Sequence, residues 1–167
     1  MDFRAAEPIL EACRKRLEHG IFGYVAKSES YYDAARAFER RRHGWEIQQG
    51  TLAIAPGVVP SLSELVREFT EPGDRVLIQT PVYPEFYDVI ECWEGREPLE
   101  NRLHQRDDRV WEIDFADLER QLQKHPKLMI VCNPQNPVGR IWTREELEQI
   151  GRLCLRYGVT ILSDEIH

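Results

Sequence analysis

Apolar residues recur along this chain in two alternating patterns, helical stripes and short unbroken runs. From Glu7 to Glu18, Ile9, Leu10, Cys13 and Leu17 share one helical face, and Gly20 suits the position just past the helix end. A second helix is predicted over Ser30 to Arg42, with Tyr31, Ala34, Ala35 and Phe38 inward and Gly44 as its stop. Leu52 to Ala55 reads as a short apolar strand, followed by Pro56-Gly57-Val58-Val59-Pro60. The next helix carries Leu62, Leu65, Val66 and Phe69 on one stripe. Glu71-Pro72-Gly73-Asp74 is turn chemistry, Arg75 to Gln79 a buried strand, and Thr80-Pro81-Val82-Tyr83-Pro84 the loop that ends it. A short helix passes through Phe86 and Val89, and from Glu94 to Asp114 the pattern weakens to short edge strands and an Arg- and Asp-rich loop. Asp114 or Phe115 opens a helix with Leu118 and Leu122 inward, before the buried strand Leu128 to Cys132. Thr143-Arg144-Glu145-Glu146 is a capping box for a helix that ends at Gly158, and Val159 to Leu162 is the last strand. This alternation predicts an α/β fold of three layers, α/β/α, around a mostly parallel mixed sheet.

The bulk numbers narrow the class. At 167 residues the chain fits one domain with a substantial core. Apolar content of 42% and charged content of 31% describe a globular rather than a disordered protein. A net charge of −7 argues against nucleic acid as a partner, which requires a basic footprint. No apolar stretch has the length of a membrane span, and Met1-Asp2-Phe3-Arg4 has neither the basic nor the apolar region of a signal peptide. Cys13, Cys92, Cys132 and Cys154 are far apart, which suits reduced thiols in a cytoplasmic protein. Neither they nor the five histidines show ligand spacing, so no metal is expected. Arg40-Arg41-Arg42 is read as a solvated last helical turn complementing the helix dipole, a simpler account than a phosphate site.

The candidate chemistry lies at strand ends, where open α/β sheets place ligands. Gly57-Val58-Val59 leads from the first apolar run into a helix, and amides at a helix start suit an anion. There is no G-x-G-x-x-G and no phosphate-loop lysine motif, so a dinucleotide or a nucleoside triphosphate is not indicated. Tyr83, held between two prolines, offers a ring that can stack on a flat ligand. Asn136 sits in Asn133-Pro134-Gln135-Asn136-Pro137-Val138-Gly139 and can donate to a ligand oxygen. Asp164 ends an apolar strand, where a carboxylate needs a partner that a protonated ring nitrogen would supply. His167 lies three residues on. Taken singly, each has an ordinary reading: a tight turn, a rim tyrosine, an Asn-Pro turn, a cap or a surface residue.

Jointly these segments resemble the fold type I pyridoxal-phosphate (PLP) enzymes of the class I/II aminotransferase superfamily. The likeness is strongest to the cystathionine β-lyase, or cysteine-S-conjugate β-lyase, branch. It rests on P-G-V-V, T-P-V-Y, N-P-Q-N-P-V-G and S-D-E-I-H, with M-D-F near the start, H-G-I-F-G-Y at His19 to Tyr24 and C-N-P-Q-N-P-V-G-R-I-W-T at Cys132 to Thr143. The resemblance implies that Val58 and Val59 offer amides to the cofactor phosphate and that Tyr83 stacks on the pyridine ring. It implies that Asn136 bonds the ring hydroxyl oxygen and that Asp164 pairs with the pyridinium nitrogen. His167 stands where many relatives carry a tyrosine facing that hydroxyl. Tyr24 would reach the phosphate of the neighbouring subunit's cofactor, because such enzymes look like obligate homodimers.

One departure is large. The family's Schiff-base lysine comes well after the D-E-I-H segment, in a serine-rich stretch, whereas Lys15, Lys27, Lys124 and Lys127 have no such context here. The last strand is also followed by no covering helix. The expectation is therefore that residues 1–167 are the N-terminal part of a large PLP-binding domain, truncated after Asp164 to His167, with no second domain. The parent would be a C–S β-lyase acting on a sulfur-containing amino acid, and the fragment itself would be inactive. Two rivals stand beside it: a class I/II aminotransferase with the same cofactor site, and a non-catalytic PLP-binding α/β module.

Overall fold

The computed structural model describes residues 3–24 and 28–167. The first two letters of M-D-F, and Lys27, lie outside the described residues. The chain divides into two compact units, residues 1–53 and 54–167.

The first unit holds two helices, α1 (Glu7–His19) and α2 (Glu29–His43). Each ends at a glycine in the left-handed region, Gly20 and Gly44, whose amides return to carbonyls of the last turn. Their predicted inward faces are not buried: Leu17 is 70% exposed, Tyr31 60% and Phe38 47%. The stripes are present, but among the described residues neither helix buries a residue. Leu52 to Ala55, expected as a strand, is irregular. A strand exists only by pairing, and this segment enters neither sheet.

The second unit opens with α3 (Val58–Phe69), followed by β1 (Arg75–Thr80) and α4 (Glu85–Tyr87), which runs on into a π-helical segment, Asp88–Trp93. Next come β2 (Glu97–Arg102), β3 (His104–Gln105), β4 (Trp111–Glu112), α5 (Phe115–Leu122), β5 (Leu128–Cys132), α6 (Arg144–Tyr157) and β6 (Thr160–Asp164). Four strands form a parallel sheet in the order β2-β1-β5-β6, and among the described residues antiparallel pairing is confined to the β3–β4 ribbon.

Strand alternation builds the layers. Val76 and Ile78 of β1 and Leu128, Ile130 and Cys132 of β5 face one core with Leu62 and Val66 of α3 and Phe86, Val89 and Ile90. Leu77, Met129 and Val131 face the opposite core with Leu118 and Leu122 of α5 and Ile150, Leu153 and Cys154 of α6. On α3 only Leu62 and Val66 are buried, while Leu65 and Phe69 reach solvent. Asp114 caps α5 by accepting from the Asp117 amide. Both halves of the expected capping box form at α6, with Thr143 accepting from the Glu146 amide and Glu146 from that of Thr143. No helix among the described residues is long and apolar enough to cross a membrane.

Candidate functional site

Parallel strands deliver their carboxyl ends to one rim, and the predicted residues meet there. A cavity of about 440 Å³ is lined by Val58, Val59, Tyr83, Asn136, Asp164 and His167, six of the seven expected site residues. Tyr24 belongs to the 1–53 unit and is fully exposed. None of the described lysines, Lys15, Lys124 and Lys127, lines the cavity, and Lys124 donates to Gln121.

Each wall has a local cause. Helix α3 starts at Gly57 with no side-chain cap, and Pro60 removes one of the first-turn donors. The Ser61 amide and hydroxyl both turn back to the Gly57 carbonyl, leaving the Val58 and Val59 amides as first-turn donors at the cavity. Gly57 itself is not sterically required, since an added Cβ would meet only Pro60, at 3.6 Å. Tyr83 follows β1 and sets its ring edge-on to Phe86 at 6.3 Å, an apolar buttress on one side. The Glu85 carboxylate beside its hydroxyl, helped by burial, raises the Tyr83 pKa, so the phenol keeps its proton.

Asp164 closes β6 in register with Cys132 of β5. It is 8% exposed, and its Oδ1 accepts from the Ile166 amide at 3.2 Å. Among the described residues no cation pairs with it. Cys132 lines the same cavity, a residue that its apolar strand context marked only as core. Burial pushes its thiol pKa up, and the nearby Asp164 charge adds to this, so the thiol stays protonated and donates to the Pro134 carbonyl at 3.3 Å. Pro60 and Ile166 complete apolar parts of the lining. Their sequence signal was adjacency to Val59 and Asp164, since an apolar lining residue carries no chemistry of its own to announce it.

The cavity thus joins an uncapped helix start, an aromatic face, an amide and a carboxylate lacking a cation. These features complement a flat ligand that is anionic at one end and cationic in its ring.

The family model for aminotransferase class I and II matches residues 5–167. The chain belongs to that family. It is 49% identical over 168 residues to cystathionine beta-lyase PatB of Bacillus subtilis, covering 100% of this chain and 43% of the relative. It is 40% identical to the protein MalY of Escherichia coli, again over 100% of this chain and 43% of the relative. Among solved structures, cystalysin from Treponema denticola, which contains a pyridoxal 5'-phosphate cofactor, superposes with a TM-score of 0.93 at 37% identity, over 100% of this chain and 42% of that one. The chain therefore spans less than half the length of the relatives it matches.

Proposed function

We propose that these residues form part of the large cofactor-binding domain of a pyridoxal-phosphate-dependent C–S β-lyase. The whole protein would convert cystathionine or another cysteine S-conjugate to a thiol, pyruvate and ammonia. It would act in the cytoplasm as a homodimer, with Tyr24 serving the partner's site. The observation that carries the reading is Asp164: a buried carboxylate that no cation among the described residues pairs with, on the cavity that also holds the uncapped start of α3. A ligand that brings a cationic group to this carboxylate complements it. The similarity to PatB supports the C–S lyase branch.

The residues present fit the cofactor. Val58 and Val59 would hold its phosphate through their amides, where the helix dipole favours negative charge. Tyr83, kept neutral and buttressed by Phe86, would lie against the ring. Asn136 would donate to the ring oxygen, and His167, which lines the same cavity, would face that oxygen as well. Asp164 would keep a proton on the ring nitrogen. Pyridoxal phosphate bound there supplies an electron-withdrawing ring that stabilises negative charge at the substrate α-carbon. The base that moves the α-proton is not among the lysines described here, since none lines the cavity, and is expected from the rest of the whole protein.

The test feeds the whole protein cystathionine with no keto acid. Pyruvate release at a steady rate supports the lyase. A strict requirement for an added keto acid would make it an aminotransferase, a reading that the family match also accommodates. In the same protein, Asp164→Ala is expected to weaken cofactor retention by at least about a hundredfold, the effect of removing one partner of a buried charge pair.

A further inference from the structure

Tyr83 and Asn136 sit on two loops that have little backbone with which to hold one another. The ladder between β1 and β5 covers only Val76 to Ile78 against Leu128 to Ile130, although β1 continues to Thr80 and β5 to Cys132. Beyond that point Pro81, Pro84, Pro134 and Pro137 bring no N–H groups. Among the described residues no main-chain hydrogen bond joins residues 79–84 to 133–139.

One side chain spans the gap. Gln135, 2% exposed, donates from Nε2 to the Gln79 carbonyl at 3.0 Å and to the Pro81 carbonyl at 3.3 Å. Both ends of this bridge are themselves fixed. The Gln135 amide donates to the Arg140 carbonyl at 2.7 Å, and its carbonyl accepts from Gly139 at 2.8 Å. Gln79 donates to Asn101 Oδ1 at 3.2 Å, and Asn101 donates to the Asp114 carbonyl and to Asp117 Oδ2, each at 3.0 Å. The orientation of the Gln135 amide is forced, because turned over it would set its oxygen against two carbonyl oxygens. Gln135 Oε1 has no protein donor. A buried amide half unsatisfied is a poor way to fill space, and an apolar side chain of the same length would do that better. What Gln135 supplies is the pair of donors.

We infer that Gln135 is a positioning residue, a clamp that sets the spacing of the Tyr83 and Asn136 loops and so the width of the cavity. The inference rests on the proposed function only for what the cavity holds. The experiment compares the whole protein with Gln135→Met, which keeps the shape and removes the donors, and Gln135→Glu, which turns an oxygen on the two carbonyls. Amide exchange should rise about tenfold in segments 79–87 and 133–142 and not across the rest of the protein, as expected for losing hydrogen bonds. Affinity for added pyridoxal phosphate should fall in the order wild type, Gln135→Met, Gln135→Glu, the first step being about tenfold. A Gln135→Met protein with wild-type exchange in both segments, or with wild-type cofactor affinity, overturns the clamp. Should the glutamate variant not fold, the methionine variant alone decides. Should the wild type bind no pyridoxal phosphate, the functional proposal fails, and the exchange comparison still decides the clamp.

Discussion

Helices α1 and α2 run for 13 and 15 residues and bury none of them, whereas the 8-residue α5 buries Leu118 and Leu122 and α6 buries Ile150, Leu153 and Cys154. All four carry an apolar stripe at helical spacing. The difference lies in what each stripe has to meet. In the 54–167 unit, β1 and β5 offer apolar side chains on both faces, so every helix placed against them finds a complementary surface. Among the described residues the 1–53 unit has no sheet, and Phe22, Tyr24 and Trp45 are exposed. A periodic stripe states which side of a helix prefers burial; it does not supply the second surface.

The sharpest way to break this comparison is to cut one large side chain from each unit. Leu77, fully buried in β1, should lose about 2–5 kcal/mol of stability on change to alanine, the range for a core leucine that leaves a cavity. Leu17, mostly exposed in α1, should change by less than about 0.5 kcal/mol on the same substitution. Urea unfolding of the two variants measures both. Comparable losses would mean that the α1 stripe is covered in solution.

The helix ends give a smaller contrast. Thr143 caps α6 through its side chain, so Thr143→Ala should remove about 1 kcal/mol. Ser28 stands at the same position of α2 but makes no cap, its hydroxyl pairing with Ser30 instead, so Ser28→Ala should be near neutral. Urea midpoints of the pair decide it, and an equal loss at Ser28 would show that α2 is capped in solution.

These contrasts bear on what the sequence could reveal. Strand β5, the capping box at α6 and the glycine stops after α1, α2 and α6 rest on local chemistry and were legible residue by residue. So was the meeting of Val58, Val59, Tyr83, Asn136, Asp164 and His167, because parallel strands carry their carboxyl ends to a common rim. The failed expectations all depended on a partner. Among the described residues the Leu52 to Ala55 run, apolar enough for a strand, enters neither sheet, and α1 and α2 bury no residue of their stripes. Gln135 was hidden for a related reason: its value lies in reaching Gln79 and Pro81, more than fifty residues away in sequence.

The finest test titrates the core of the 54–167 unit. Burial, with a hydrogen bond to Glu100 at 2.6 Å, pushes the Tyr87 phenol up to about 12 from 10.0. Burial alone pushes the Cys154 thiol up to about 11 from 9.0. Both groups belong to the 54–167 unit. In each case the folded chain keeps a proton that the unfolded chain releases, so the native state binds more protons and stability falls as pH rises. The contribution of Cys154 is complete below about pH 9 and disappears through pH 11; that of Tyr87 is complete below about pH 10 and disappears through pH 12. Tyr87→Phe should therefore flatten the decline in urea midpoint between pH 10 and 11.5 relative to the wild type, whatever it does to stability at pH 8. The slope is the informative quantity, because it reports the proton that the folded phenol keeps through burial and the Glu100 hydrogen bond, whereas the midpoint at pH 8 also carries any change in packing. An unchanged slope would mean that water reaches Tyr87 in the folded chain, and that the core around α4 is looser than the packing of Phe86 and Ile90 implies.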